Sequence, residues 1–278
     1  MKRILTLAKR TALEIVREPL SLIFCLGMPF ALLLVFRFIS RAAEGGWMSM
    51  AALVPGLTVF SLSFLSLFMA LLVSRDRGSA FLTRLFNAPV KTRDFILGYL
   101  LPGVALGMIL SFLTCLFGML TCLIPDGAVT AAGIAFPEAE IDYSVLPPVT
   151  NQVTVVIPWT ALPVVVLSTV PMTLFFVLFG VTIGSLLSDR AAPGVCSVVV
   201  SASGLLGGAW MPLSKMPTLE AVCRFLPFYP GVTMARVATS GEPFGWGNGW
   251  MPCLVLLGWC LLLAPLSVFV FSRVRNGK

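Results

Sequence analysis

The sequence predicts an all-α integral membrane protein. It has six transmembrane helices, an N-terminal amphipathic elbow helix, and outer half-helices between spans five and six. Three observations carry that expectation. Apolar runs of spanning length recur along the chain, each long enough for a hydrocarbon core of about 30 Å. Only 11% of the 278 residues are charged against 58% hydrophobic, and mean hydropathy is +0.98. A soluble domain carries about a quarter charged residues. The lysines and arginines also cluster between alternate runs, as the positive-inside rule requires of a multi-pass chain.

Residues 1–18 read as the elbow, with Ile4, Ala8, Ala12 and Ile15 on one helical face and Arg3, Arg10, Glu14 and Arg17 on another. The polar segment is long for a signal peptide and the apolar run behind it is of spanning length, so cleavage is not expected. Pro19 sets a corner, and residues 20–38 form the first span, with Pro29 at its middle as a kink point. The second span covers 51–73. A polar island, 74–94, follows with five basic residues, Arg75, Arg77, Arg84, Lys91 and Arg93. Its middle reads as a short helix. Phe81, Leu82, Leu85 and Phe86 share one face, Thr83, Arg84 and Asn87 the other, Ser79 is the N-cap, and Pro89 ends it.

The third span covers 95–124. Residues 125–157 are an outer loop with Asp126, Glu138, Glu140 and Asp142 and no basic residue, and 153–157 is a candidate short strand. The fourth span covers 159–187, with Pro163 and Pro171 as kink points. The fifth, 191–210, is rich in small residues, among them Gly204, Gly207 and Gly208, which lets helices approach closely. Residues 211–249 are too polar and proline-rich to cross, so 218–226 and 231–238 are expected as short helices lying in or dipping into the outer interface. The sixth span covers 250–271, with Trp246 and Trp250 at its outer edge, and the tail is basic. The whole of 1–278 reads as a single transmembrane domain.

With the N-terminus inside, the inner segments hold fourteen basic residues: five in the elbow, five in the island, Arg190, and Arg273, Arg275 and Lys278. The outer side holds five, Arg37, Arg41, Lys215, Arg224 and Arg236. Both termini are therefore expected in the cytoplasm.

Function classes narrow by absence. The chain has no histidine, the commonest general base and metal ligand. Its seven cysteines show no metal spacing, and only Cys223 reads as exposed. No basic and aromatic soluble surface suggests nucleic acid. No G-x-x-x-x-G-K-[ST] loop is present to cradle ATP. No Asp, Glu or Lys stands at the centre of a span, which argues against an ion-coupled carrier. A secondary carrier and a non-transport scaffold are the competing readings.

Two stretches carry a resemblance. DRGSAFLTRLFNAPVKTRDFILGYLLP, residues 76–102, contains Arg84-Leu85, Pro89-Val90 and Ile96-Leu97-Gly98. GGAWMPLSKMPTLEAVCRFLPFYPGVTMAR, residues 207–236, contains Gly207, Pro212, Met216-Pro217, Pro227, Pro230 and Arg236. Both resemble the membrane subunits of ABC-2-type exporters, bacterial permeases that pair with a separate ATPase. The chain departs from the pattern at Tyr99, where a lysine is common, and in its long acidic outer loop.

The resemblance implies a coupling segment that docks on the ATPase, here Arg75, Asp76, Arg77, Phe81, Leu82, Arg84, Leu85, Phe86 and Asn87. It implies a dimer of permease chains, alike or similar, with Pro29, Gly204, Gly207 and Gly208 as dimer or pathway candidates. It also implies that ATP-Mg is used by the partner while this chain binds no cofactor or metal, that the chain lies in the bacterial plasma membrane, and that it exports cargo. The many Phe, Met and Leu residues favour a hydrophobic or amphipathic cargo.

Overall fold

The computed structural model describes residues 2–42, 50–78, 92–123, 159–210, 213 and 216–275. Within them the chain is helical, with no strand among the described residues. Helix α1 is Lys2–Arg17, α2 Pro19–Ala42, α3 Met50–Gly78 and α4 Thr92–Leu123. Then come α5 Ala161–Ser168, α6 Val170–Leu186, α7 Ala192–Leu206, α8 Pro217–Cys223 and α9 Phe228–Ser240. One π-helical turn, Trp246–Trp250, leads into α10, Met251–Arg275.

Five stretches are long and apolar enough to cross a membrane: Leu22–Ile39, Leu53–Gly78, Thr92–Thr121, Ala161–Leu186 and Trp246–Arg273. Helix α7 is the exception to the expected six. Its 15 residues rise only about 22 Å at 1.5 Å each, short of a hydrocarbon core of about 30 Å. The expected span ran on to Trp210. The helix stops instead at a turn in which Gly208 takes φ +66°, a left-handed conformation glycine adopts without a Cβ clash.

Helix α3 is the axis of the bundle, and nearly all of its apolar length is buried. Its interior hydroxyls do not stay unsatisfied. Thr58 donates to the Val54 carbonyl at 2.8 Å, Ser61 to Thr58 at 2.6 Å, Ser63 to Phe60 at 2.7 Å and Ser66 to Ser63 at 2.6 Å. A buried hydroxyl without such a partner would be costly. Helix α6 crosses it closely. A Cβ on Gly180 would sit 2.5 Å from the Ser66 carbonyl oxygen, and one on Gly184 2.5 Å from that of Ala70. Small residues of the fourth apolar stretch, spaced as Gly-x-x-x-Gly, therefore permit backbone contact here.

The fourth stretch breaks at Thr169, two residues before Pro171, because proline has no N–H to offer the carbonyl four residues back. Groups from neighbouring helices cover the break. The Ser111 and Thr169 hydroxyls lie 2.9 Å apart, and the Cys260 thiol donates to the Pro171 carbonyl at 3.7 Å. Pro163 lies in the first turn of α5, where proline is tolerated, and α5 continues through it.

The segment after α7 folds back into the bundle. Phe228, at the start of α9, packs its ring 6.3 Å from both Phe175 and Phe176 of α6. The Trp259 indole of α10 donates to the Phe225 carbonyl at 3.0 Å. Arg236 donates to the Gly208 carbonyl at 2.6 Å, tying α9 to the turn after α7. The two expected short helices are present as α8 and α9. Cys223 corrects the expectation of an exposed thiol. It is fully buried, because α8 rests on the bundle through that residue while its other positions face outward.

Candidate functional site

The polar groups of the chain converge at one end of the bundle, where α1, the last turn of α3, the first turns of α4, and the ends of α6 and α10 meet. We call it the basic end. Helix α1 docks there through Ala8, Thr11 and Ile15, which recur at helical spacing and are buried. Gly98 of α4 admits it closely, since a Cβ at that position would lie 2.8 Å from the Leu7 Cβ. Two expectations about α1 are corrected. Ala12 is exposed rather than part of the docking face. Arg10 and Glu14, placed by sequence on the solvent face, turn onto the bundle instead, because a carboxylate on α3 draws in Arg10, and Arg10 holds Glu14. Leu5, Leu13 and Val16 form an outward apolar flank.

That carboxylate is Asp76. Arg10 chelates it, Nη2 to Oδ1 at 3.0 Å and Nη1 to Oδ2 at 3.3 Å. The Tyr99 hydroxyl of α4 donates to Oδ2, and Arg10 also donates to Glu14. Asp76 has only 11% of its side chain exposed. Tyr99 is fully buried, its ring centroid 4.7 Å from that of Phe95, which stacks on Phe271 of α10 at 4.2 Å. One guanidinium therefore joins α1 to α3, and one phenol joins α3 to α4. Two further ties flank them. Arg75 pairs with Glu18, and Arg77 donates to the Ser185 carbonyl at the end of α6, at 2.6 Å.

The arrangement is a clasp. It holds four helices at the two feet of the polar island. Burial, and after it the charge of Asp76, hold the Glu14 carboxyl above its ordinary value, against the pull of Arg10. The Glu14 Oε2 is buried with no hydrogen-bond partner. Among the described residues no group of three or more Cys, Asp or Glu side chains is placed to hold a metal ion.

Of the candidate coupling residues, Arg75, Asp76 and Arg77 lie in this clasp. Phe81, Leu82, Arg84, Leu85, Phe86 and Asn87 lie outside the described residues. Pro29 is buried within α2. Gly204 lies under Trp210 and Phe60 of its own chain, where a Cβ would come 2.2 Å from the Trp210 ring. Gly207 and Gly208 are buried in the adjoining turn. These glycines serve internal packing, and the open flank of α7 is formed by Val195, Val198 and Leu205 with Gly194, Ser197 and Ser201 between them. At the opposite end of the bundle, Leu167, Pro171, Met234, Phe244, Trp250 and Cys253 line an apolar cavity of about 250 Å³.

Sequence reasoning missed Arg10, Glu14 and Tyr99 as members of the site. A signal was present. Asp76 is the one acid in a helix otherwise apolar up to its basic end, and an acid that the helix buries needs a partner. Tyr99 stood out only as a departure from a pattern.

Residues 48–269 match the family described as "ABC-2 family transporter protein". No curated protein matches the chain.

Proposed function

The chain belongs to the ABC-2 transporter family, and on that premise we propose that it is the membrane subunit of an exporter powered by a separate ATPase. It is a multi-pass membrane protein. In this reading it crosses the membrane six times, with α7 and its turn completing the fifth crossing. The basic end faces the bacterial cytoplasm, where the fourteen-to-five distribution of Lys and Arg favours it. Two permease chains and two ATPase subunits make the working unit, ATP-Mg is held by the ATPase, and the cargo is hydrophobic or amphipathic.

The observation that carries the reading is the position of the clasp. The polar island leaves α3 two residues after Asp76 and returns into α4 seven residues before Tyr99. Asp76 receives hydrogen bonds from Tyr99 and from Arg10 of the elbow. Whatever moves the island therefore pulls on a charge-assisted knot shared by the elbow and both neighbouring helices. Helix α3 runs from that knot, closely packed, to Gly56 at its other end, where a Cβ would lie 2.4 Å from the Ala209 carbonyl oxygen. A close-packed helix passes a displacement along its length rather than absorbing it. ATP binding by the partner would then bias the two positions of this one element.

The test removes the docking knob and leaves the helices intact. In Phe81→Ala, Phe86→Ala, two apolar anchors are truncated, each worth about 2 kcal/mol if buried against the ATPase. Pull-down of the ATPase from solubilised membranes and export should both fall steeply at unchanged insertion. A double variant that binds the ATPase and exports like the parent overturns the coupling assignment.

A further inference from the structure

The re-entrant segment carries an ion pair at a depth where lipid would not solvate it. Helix α10 ends at Arg275, and its last basic turn fixes the inner boundary near Arg273. Counting back about 20 residues at 1.5 Å each to span about 30 Å brings the outer hydrocarbon boundary near Cys253. Trp259 lies six residues further in, about 9 Å below that boundary. Its indole N–H is bonded to the Phe225 carbonyl, and Phe228 packs on Phe175 and Phe176 well inside α6, which together place this segment below the boundary. The residue before Phe225 is Arg224. It pairs with Glu220 at 2.9 Å, and Glu220 also accepts from the Tyr229 hydroxyl at 3.0 Å.

Among the described residues the Arg224 end of this triad is uncovered, while Glu220 lies mostly under it. The Arg224 side chain is 59% exposed. Arg224 is held one turn back toward Glu220, so its guanidinium is committed to the pair rather than extended to the headgroups. An exposed charge pair at this depth faces hydrocarbon, protein or water; hydrocarbon is excluded by the cost of desolvating it, and a second chain seated on the face would block labelling where water admits it. Beside the triad lies an exposed apolar strip, Met216, Leu219, Val222 and Phe225, at helical spacing.

We infer that the Glu220–Arg224–Tyr229 face of α8 and α9 lines a water-filled vestibule that opens outward and reaches about 9 Å into the outer leaflet. Its wall is amphipathic, an ion pair beside an apolar strip, and fits a cargo with a polar end and an apolar body. That cargo assignment rests on the exporter reading, whereas the presence of water does not.

The test is thiol accessibility in the full chain, with the seven native cysteines replaced. Single cysteines are placed at Val222 and Phe225, which are exposed and whose replacement leaves the core intact. Leu261→Cys, on the exposed flank of α10, is the lipid-facing control, and Glu242→Cys the solvent control. A membrane-impermeant cationic thiosulfonate is added to intact cells. Thiolate is the reacting species and an apolar setting suppresses it, so the lipid-facing thiol should react about a hundredfold more slowly than the solvent one. Val222→Cys and Phe225→Cys should react within about tenfold of the solvent control. If both are as slow as Leu261→Cys, no vestibule exists at this face. The ATPase pull-down separates the two readings. Slow labelling with intact ATPase binding removes the vestibule alone. Fast labelling with no ATPase dependence on Phe81 and Phe86 leaves the vestibule standing and removes the coupling assignment.

Discussion

Replacing Arg10 by methionine keeps the apolar stem and removes the fork that holds Asp76. Breaking a fully buried ion pair by deleting one partner costs about 3–5 kcal/mol. This pair is less buried than that. Arg10 is 28% exposed and Asp76 11%, and solvent screening lowers the figure to about 2 kcal/mol. The loss falls on one event, the undocking of α1, because Arg10 is the residue that reaches from α1 to Asp76. About 2 kcal/mol is about thirtyfold in a local opening equilibrium. Hydrogen exchange reads that equilibrium directly for amides that open locally. In lipid nanodiscs, the amides of Lys2–Arg17 should lose about thirtyfold protection in Arg10→Met. Those in the middle of α3 and α6 should keep theirs. Arg10→Lys retains the charge without the planar fork and should fall between. The reasoning is refuted if α1 exchanges at the parental rate in Arg10→Met. It is equally refuted if the effects of Arg10→Met and Asp76→Asn simply add in the double variant, since partners in one network must couple.

Two further outcomes follow from the same geometry. Glu14 is held above its ordinary value, so the folded protein takes up a proton there that the unfolded chain has already released. Its contribution to stability therefore rises as pH falls from the raised value toward the ordinary one near 4.5. Glu14→Gln should then be at least as stable as the parent at neutral pH and should show a flatter rise on acidification, measured by thermal unfolding of the solubilised protein; a less stable variant with the parental slope contradicts this. Gly184→Ala drives a methyl toward the Ala70 carbonyl and should destabilise by about 1–3 kcal/mol, whereas Gly194→Ala, which meets nothing within 4 Å, should be neutral or slightly stabilising; equal melting temperatures for the two would remove the close crossing of α3 and α6.

Five of the six expected spans were legible because hydropathy and length are local properties, whereas the fifth run returned as the shorter α7. Helix α1 was legible for the same reason, since Ala8 and Ile15 repeat at helical spacing. Its polar face was misread because a charge reads as solvated until its partner is known, and the partner of Arg10 lies 66 positions away. Proline chemistry located the break in the fourth run, though the break falls ahead of Pro171, at Thr169, between the proline and the Leu167 carbonyl that its missing N–H would have met. The glycines of the fifth run announced close packing but not its direction. Gly204 turned out to house Trp210, a contact six residues along the same chain that no spacing rule anticipates.

The clasp is a costly way to join helices. Apolar residues of similar size often hold a buried site as well as an ion pair does, because the ions must first be desolvated. An ion pair is therefore weak evidence of a need for stability, and its geometry says more. Arg10 touches two carboxylates, Asp76 on α3 and Glu14 on its own helix, and Glu14 retains a buried oxygen without a partner. One guanidinium holds both acids at once, so deleting Arg10 leaves two carboxylates facing each other, while deleting either acid leaves Arg10 paired with the other.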